Sequence, residues 1–158
     1  MSATAESYNG LANFCVLEVE DDPNDVLVLA QAFRMAEVKH RLEVVRDGVE
    51  AVDYLSGIGK FADRRTHLLP CLVILDQKMP RMTGLEVLEW IRQESELCSL
   101  PVIMFSSSSE PEEVDRAYEL GANSYVVKPA TMNKTVELAG FIKGYWLQFN
   151  ELPPRCNF

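Results

Sequence analysis

The sequence predicts an α/β fold, a doubly wound parallel sheet with helices on both faces, and three observations predict it. Short runs of branched apolar residues alternate strictly with amphipathic stretches of helical period, five times over. The run "CLVIL" (71–75) is apolar at every position, as a strand buried on both faces must be. Several runs stop abruptly at polar or charged residues, where the carboxyl ends of such strands open onto a crevice.

Each element has its own signal. "FCVLEV" (14–19) reads as the first strand, and "PNDVLVLAQAFRMAEV" (23–38) as a helix with Pro23 in its first turn and Asp22 as its cap. "RLEVVR" (41–46) is the second strand. Asp47-Gly48 then turns the chain into "VEAVDYLSG" (49–57), a short helix ended by Gly57. Residues 58–70 are a polar stretch too long for an ordinary connection and read as a surface loop. "CLVIL" follows as the third strand, "GLEVLEWIRQES" (84–95) as a helix and "PVIMFS" (101–106) as the fourth strand. "PEEVDRAYELG" (111–121) is the next helix, "SYVV" (124–127) the fifth strand and "TVELAGFIKGYWLQF" (135–149) the last helix. Right-handed crossovers then place helices on both sheet faces.

Composition narrows the function. The chain is 47% hydrophobic and 158 residues long, enough for one domain with a proper core. A formal net charge of −9 argues against nucleic acid as a partner, since phosphate-backbone binders carry a basic face. Four scattered cysteines without a CxxC, and two histidines, give neither zinc spacing nor a disulfide framework, which suits a reduced, cytoplasmic location. No apolar run approaches a membrane span, and residues 1–13 read as a short disordered leader without a signal pattern.

The strand ends carry the chemistry. The first ends in Glu20-Asp21-Asp22, the third in Asp76, the fourth in Ser106 and the fifth in Lys128-Pro129. A lone terminal Asp is ordinarily turn chemistry. Taken together, Glu20-Asp21, Asp76 followed by Met79-Pro80 and Gly84, Ser106, and Tyr125 through Lys128-Pro129 resemble the receiver domain of two-component response regulators in order and spacing. Within that family, "VEDDPND", the long loop before the third strand, "YELGANSYVVKP" and the tail "WL…LPP" resemble the stand-alone regulators associated with bacterial phytochrome kinases.

The resemblance implies a flavodoxin-like sheet of strand order 2-1-3-4-5, a receiver domain over 14–149 and a C-terminal extension at 150–158. It implies that Asp76 accepts a phosphoryl group from a sensor histidine kinase, possibly of the phytochrome type, with signalling by a changed surface rather than a fused output domain. Mg²⁺ would be held by Asp21, Asp76 and the backbone carbonyl of Lys78, with Glu20 acting through water; such a hard cation offsets the cost of crowding three carboxylates. Lys128 and the Ser106 hydroxyl would meet phosphoryl oxygens, Ser106 and Tyr125 would form the switch, and Pro129 would follow a cis peptide that aims Lys128 inward. Activity would be limited to the protein's own phosphorylation and dephosphorylation.

Three positions depart from the family pattern. Lys78 stands two residues after the nucleophile, where its side chain would lean over the site; Thr83 precedes the glycine in place of an Asp; and Glu18 puts a carboxylate inside a central strand, where an unpaired charge is expensive. Two alternatives remain. A haloacid-dehalogenase-type phosphohydrolase also uses a strand-end Asp with Mg²⁺ and Lys, but needs a second acid where Lys78 stands. A pseudo-receiver would bind without phosphorylation, against the presence of Asp76, Asp21 and Lys128. Finally, a 3.6-residue wheel places Leu138, Ile142, Tyr145, Phe149 and Leu152 on one core-facing stripe and Leu147 on the opposite side. Aromatic residues beyond that stripe predict a homodimer through the C-terminal helix and tail.

Overall fold

The computed structural model describes residues 14–153. Strands β1 (Cys15–Val19), β2 (Arg41–Val45), β3 (Pro70–Leu75), β4 (Val102–Ser106) and β5 (Ser124–Val127) form one parallel sheet of order β2-β1-β3-β4-β5. Between them run α1 (Pro23–Met35), α2 (Gly48–Ser56), α3 (Gly84–Gln93) and α4 (Pro111–Glu119), and α5 (Met132–Phe141) follows β5. The predicted leader, and residues 154–158 of the predicted extension, lie outside the described residues.

Alternation along the strands sorts the core into two layers. Cys15, Leu17, Val19, Val73, Leu75, Val102 and Met104 face α2, α3 and α4. Val16, Leu72, Ile74, Ile103 and Phe105 face α1 and the C-terminal helix. Every residue of β1, β3 and β4 is buried, as the apolar run at 71–75 requires. Glu18 and Glu20 share the parity of Val16 and so lie on the α1 side.

Local chemistry sets the helix ends. The Asp22 side chain accepts from Asn24 N, Asp47 from Glu50 N and Thr131 from Lys134 N. Thr83 and Glu86 close a reciprocal capping box on α3, which accounts for a threonine at that position. Gly57 ends α2 in the left-handed region at φ 65°.

Three expectations are corrected. The 58–70 stretch is not wholly surface loop: a 3₁₀ turn, Gly59–Phe61, drives Phe61 into the core against the Tyr54 and His67 rings. No peptide bond among the described residues is cis, so Lys128–Pro129 is trans; the trans form is favoured at X–Pro by about 0.5–1 kcal/mol, and Lys128 reaches the site from it.

The third correction concerns the C-terminal helix. From Ile142 to Phe149 the chain is π-helical, and Asn150 N donates to Tyr145 O, five residues back. Wider turns put residues five apart on one face. Ile142 and Leu147 are therefore buried together, while Phe141, Tyr145 and Phe149 turn outward. Of the predicted stripe, Ile142 is buried and Leu138 and Leu152 pack against the core, but Tyr145 and Phe149 face outward and Leu147 inward, the reverse of the wheel.

Candidate functional site

The site lies at the carboxyl edge of the three central strands. Asp76 leaves β3 with its N–H donated to Val19 O, which pins the start of its loop to β1. The loop is closed by Gly84 N donating to Gln77 O. A side chain at Gly84 would put its Cβ 2.1 Å from the Asp76 carbonyl oxygen, so only glycine lets α3 begin this close to the acidic loop. Between them, Met82 N donates to Pro80 O across Arg81, which has a φ of 67° and an ion pair with Asp47. A γ-turn of this kind is how Met79-Pro80 redirects the chain.

Glu20, Asp21 and Asp76 converge here, with one carboxylate oxygen from each within 4.8 Å of the others. Glu20 and Asp76 are buried and Asp21 is exposed. Glu20 accepts from Asp22 N at 3.0 Å through Oε1 and from Lys128 Nζ at 2.7 Å through Oε2. Lys128 also donates to Asp25 Oδ2 at 2.7 Å and stands 3.4 Å from Asp76 Oδ1. Lys128 N donates to Ser106 O, fixing where its side chain starts.

One ammonium thus faces three carboxylates, and the protonation equilibria shift accordingly. Burial pushes Glu20 up to about 7 despite its bond to Lys128. Burial likewise raises Asp76, assisted by Asp21 and opposed by Lys128. For Lys128 burial works against the charge, but hydrogen bonds to Asp25 and Glu20 and the field of Asp76 hold it well above the ordinary lysine value. An all-oxygen anionic set with surplus negative charge suits a hard divalent cation.

The remaining predicted residues are placed differently. Ser106 is buried at the end of β4, and its hydroxyl accepts from Ser108 N at 3.2 Å. Lys78 does not lean over the carboxylates: its ammonium points to Glu113 of α4, 3.8 Å away, on the rim of a groove of about 490 Å³ lined also by Asp21 and Gln77. The Tyr125 hydroxyl lies inward, 3.1 Å from Gln77 Oε1 and 3.0 Å from Ser108 O. Two residues escaped the sequence reading. Asp25, in the first turn of α1, reads there as a helix-dipole acid, and Gln77 as a polar loop residue; neither pattern reveals a partner about 100 or 48 residues away in sequence.

With this geometry in hand, the comparisons with known proteins are clear. Residues 16–139 match the response regulator receiver domain family, and the chain belongs to it. A crystal structure of a response regulator in red light signaling of R. palustris is 36% identical, covering 89% of this chain and 98% of that one at a TM-score of 0.84. The phosphorylated cyanobacterial phytochrome response regulator RcpA is 31% identical, covering 90% and 99% at a TM-score of 0.82. The Mn²⁺-bound form of response regulator Rcp1 is 28% identical, covering 89% and 99% at 0.78; the Rcp1 sequence, from Synechocystis, is 29% identical over 87% of this chain and 92% of its own. The subgroup resemblance to phytochrome-associated regulators agrees with these neighbours, and the hydrolase and pseudo-receiver alternatives are disfavoured. No helix among the described residues is long and apolar enough to cross a membrane.

Proposed function

We propose that this chain is a phosphorylatable receiver whose acceptor is Asp76, and that the convergence of Glu20, Asp21 and Asp76 beside the Lys128 ammonium is the observation that carries the reading. The donor is a phosphohistidine of a sensor histidine kinase of the phytochrome type, in the cytoplasm. The donor's P–N bond breaks as an Asp76 oxygen bonds phosphorus, giving an acyl phosphate; water later returns carboxylate and inorganic phosphate. That self-directed chemistry is the protein's whole catalytic repertoire.

Asp76 is pre-positioned because it continues a strand buried at every residue, so little entropy is lost in aiming it. Lys128 offers an ammonium to developing phosphoryl charge, and Ser106 a hydroxyl. Asp21, Asp76 and the Lys78 carbonyl would hold Mg²⁺, with Glu20 acting through water. Bound there, the cation supplies charge neutralisation for in-line transfer. The Mn²⁺-bound form of Rcp1 supports a divalent cation in this family. Ser106 and Tyr125 form the switch, because the Tyr125 hydroxyl already reaches the residue next to Asp76. The receiver spans 14–149, and self-association runs through the C-terminal helix and the extension from 150.

Incubation with Mg²⁺ and acetyl phosphate should add one alkali-labile phosphoryl group, read as a mass increase. Asp76→Asn should abolish it. Equal labelling of the variant would remove the assignment.

A further inference from the structure

We propose that Asp25 is a positioning residue of the phosphoryl site: it holds the Lys128 ammonium on the α1 side and competes with phosphoryl oxygens for it. This rests on the reading of Lys128 as a phosphoryl ligand.

An ammonium has three N–H donors. On Lys128, two are committed at 2.7 Å, one to Glu20 and one to Asp25, while Asp76 stands farther off at 3.4 Å. The void beside the Lys128 side chain, lined also by Asp25, Val28, Phe105 and Pro129, is only about 30 Å³, so little space is left on that side. The Phe105 ring closes one side, 5.7 Å from Nζ. The third N–H has only Asp76 near it, at 3.4 Å; a phosphoryl oxygen on Asp76 gains a short bond from it, or a second donor, by drawing the ammonium off Glu20 or Asp25.

Asp25 is the carboxylate that yields. The Glu20 side chain is 3% exposed and also holds Asp22 N, so losing Lys128 would strand a buried charge. The Asp25 side chain is 39% exposed, and among the described residues Lys128 is its one hydrogen-bond partner, so water replaces the lost contact. Asp25 also places a negative charge on the ammonium that a dianionic phosphoryl group must share, which disfavours the phosphorylated form. The exchange makes Asp25 a brake: with it, Lys128 is divided; without it, Lys128 is available to the phosphoryl group.

The test is calorimetric titration of the full chain with beryllofluoride, a phosphoryl mimic, in Mg²⁺. Asp25→Asn keeps the side-chain shape and should bind about threefold or more tighter than wild type. Its acyl phosphate should also hydrolyse more slowly. Coupling is read in a double-mutant cycle: in a Lys128→Met background, Asp25→Asn should give no gain. Binding by Asp25→Asn that is unchanged or weaker overturns the proposal, as does a gain of the same size in the Lys128→Met background. An equal gain from Glu37→Gln, an exposed acid beyond the far end of α1, would show a bulk charge effect and overturn it as well. If Lys128→Met alone binds as tightly as wild type, the Lys128 reading itself fails and takes the Asp25 proposal with it. Circular dichroism of each variant confirms that it is folded.

Discussion

Glu18 occupies the middle of β1, in register with Val44 on one side and Ile74 on the other, and is 1% exposed. Neither of its carboxyl oxygens has a hydrogen-bond partner among the described residues. Burial, reinforced by Glu20, pushes its pKa up to about 8, so the group is largely protonated at neutral pH. Among the described residues no basic side chain bonds it, and the strand is fully buried there, so neither an ion pair nor solvent exposure relieves it. An unpartnered buried carboxyl costs about 1–3 kcal/mol by protein mutational data. Glu18→Leu, which keeps the bulk and removes the polar atoms, should therefore raise unfolding stability by about 1–3 kcal/mol in urea at pH 7. A loss of stability on that substitution would mean that Glu18 has a stabilising role its surroundings do not reveal. Lys128 shows the opposite arrangement, a buried charge with every donor aimed at a carboxylate, and removing one partner there is a functional rather than a stabilising change.

At the scale of elements, α2 shows how caps join the two sides of the acidic loop. Asp47 caps α2 through Glu50 N and pairs with Arg81 from the turn after β3. Burial alone would raise the Asp47 carboxyl, but Arg81 and the Glu50 N–H outweigh it, so it titrates below its ordinary range. A depressed folded pKa contributes stability that is present above the unfolded pKa, near 4, and lost as pH falls through the folded one. Arg81 is 62% exposed, so solvent screening leaves the cap as the larger part. Asp47→Ala should cost about 1–2 kcal/mol at pH 7, with the gap narrowing as pH falls below about 4. Thermal unfolding of both proteins across pH 2–7 checks it, and a gap independent of pH would assign the loss to something other than the carboxylate. The Asp22 cap was legible because it stands beside Pro23, whereas Asp47 beside Gly48 read as a turn and is in fact a cap; the strands were legible because β1, β3 and β4 are apolar almost throughout. The C-terminal phase was not legible, since a wheel assumes 3.6 residues per turn and the π segment at 142–149 breaks that assumption; Gly140 and Gly144 lie just before it and in it, but two glycines do not reveal a widened turn. Of the site, the strand-end residues were visible as a set. Their partners Asp25 and Gln77 were not, because those contacts arise only when α1 and β5 are brought to the same edge.

For the whole molecule, the π segment decides which surface is left over. With Ile142 and Leu147 turned into the core, Phe141, Tyr145 and Phe149 form an outward row at 67%, 58% and 82% exposure. Val127 of β5 and Leu138 extend the row into a groove that also holds Lys134 and Glu137. The proposed self-association would use this row: aromatic side chains spaced along one helix, flanked by one charge of each sign, which a two-fold pairing would satisfy in both copies. The pairing must overcome repulsion, because each chain carries a formal net charge of −9. Self-association should therefore tighten as salt rises from about 0.02 M to 0.3 M, the reverse of an interface held by ion pairs. Cutting the chain after Tyr145 would not isolate this surface, since it removes the buried Leu147 with it. Phe141→Ser with Phe149→Ser leaves the core intact and should shift a dimer in sedimentation equilibrium at tens of micromolar to monomer, with the circular dichroism spectrum unchanged. A wild-type chain that sediments as a monomer in both salts, phosphorylated or not, would assign the aromatic row to a different partner, and the kinase would be the first to test.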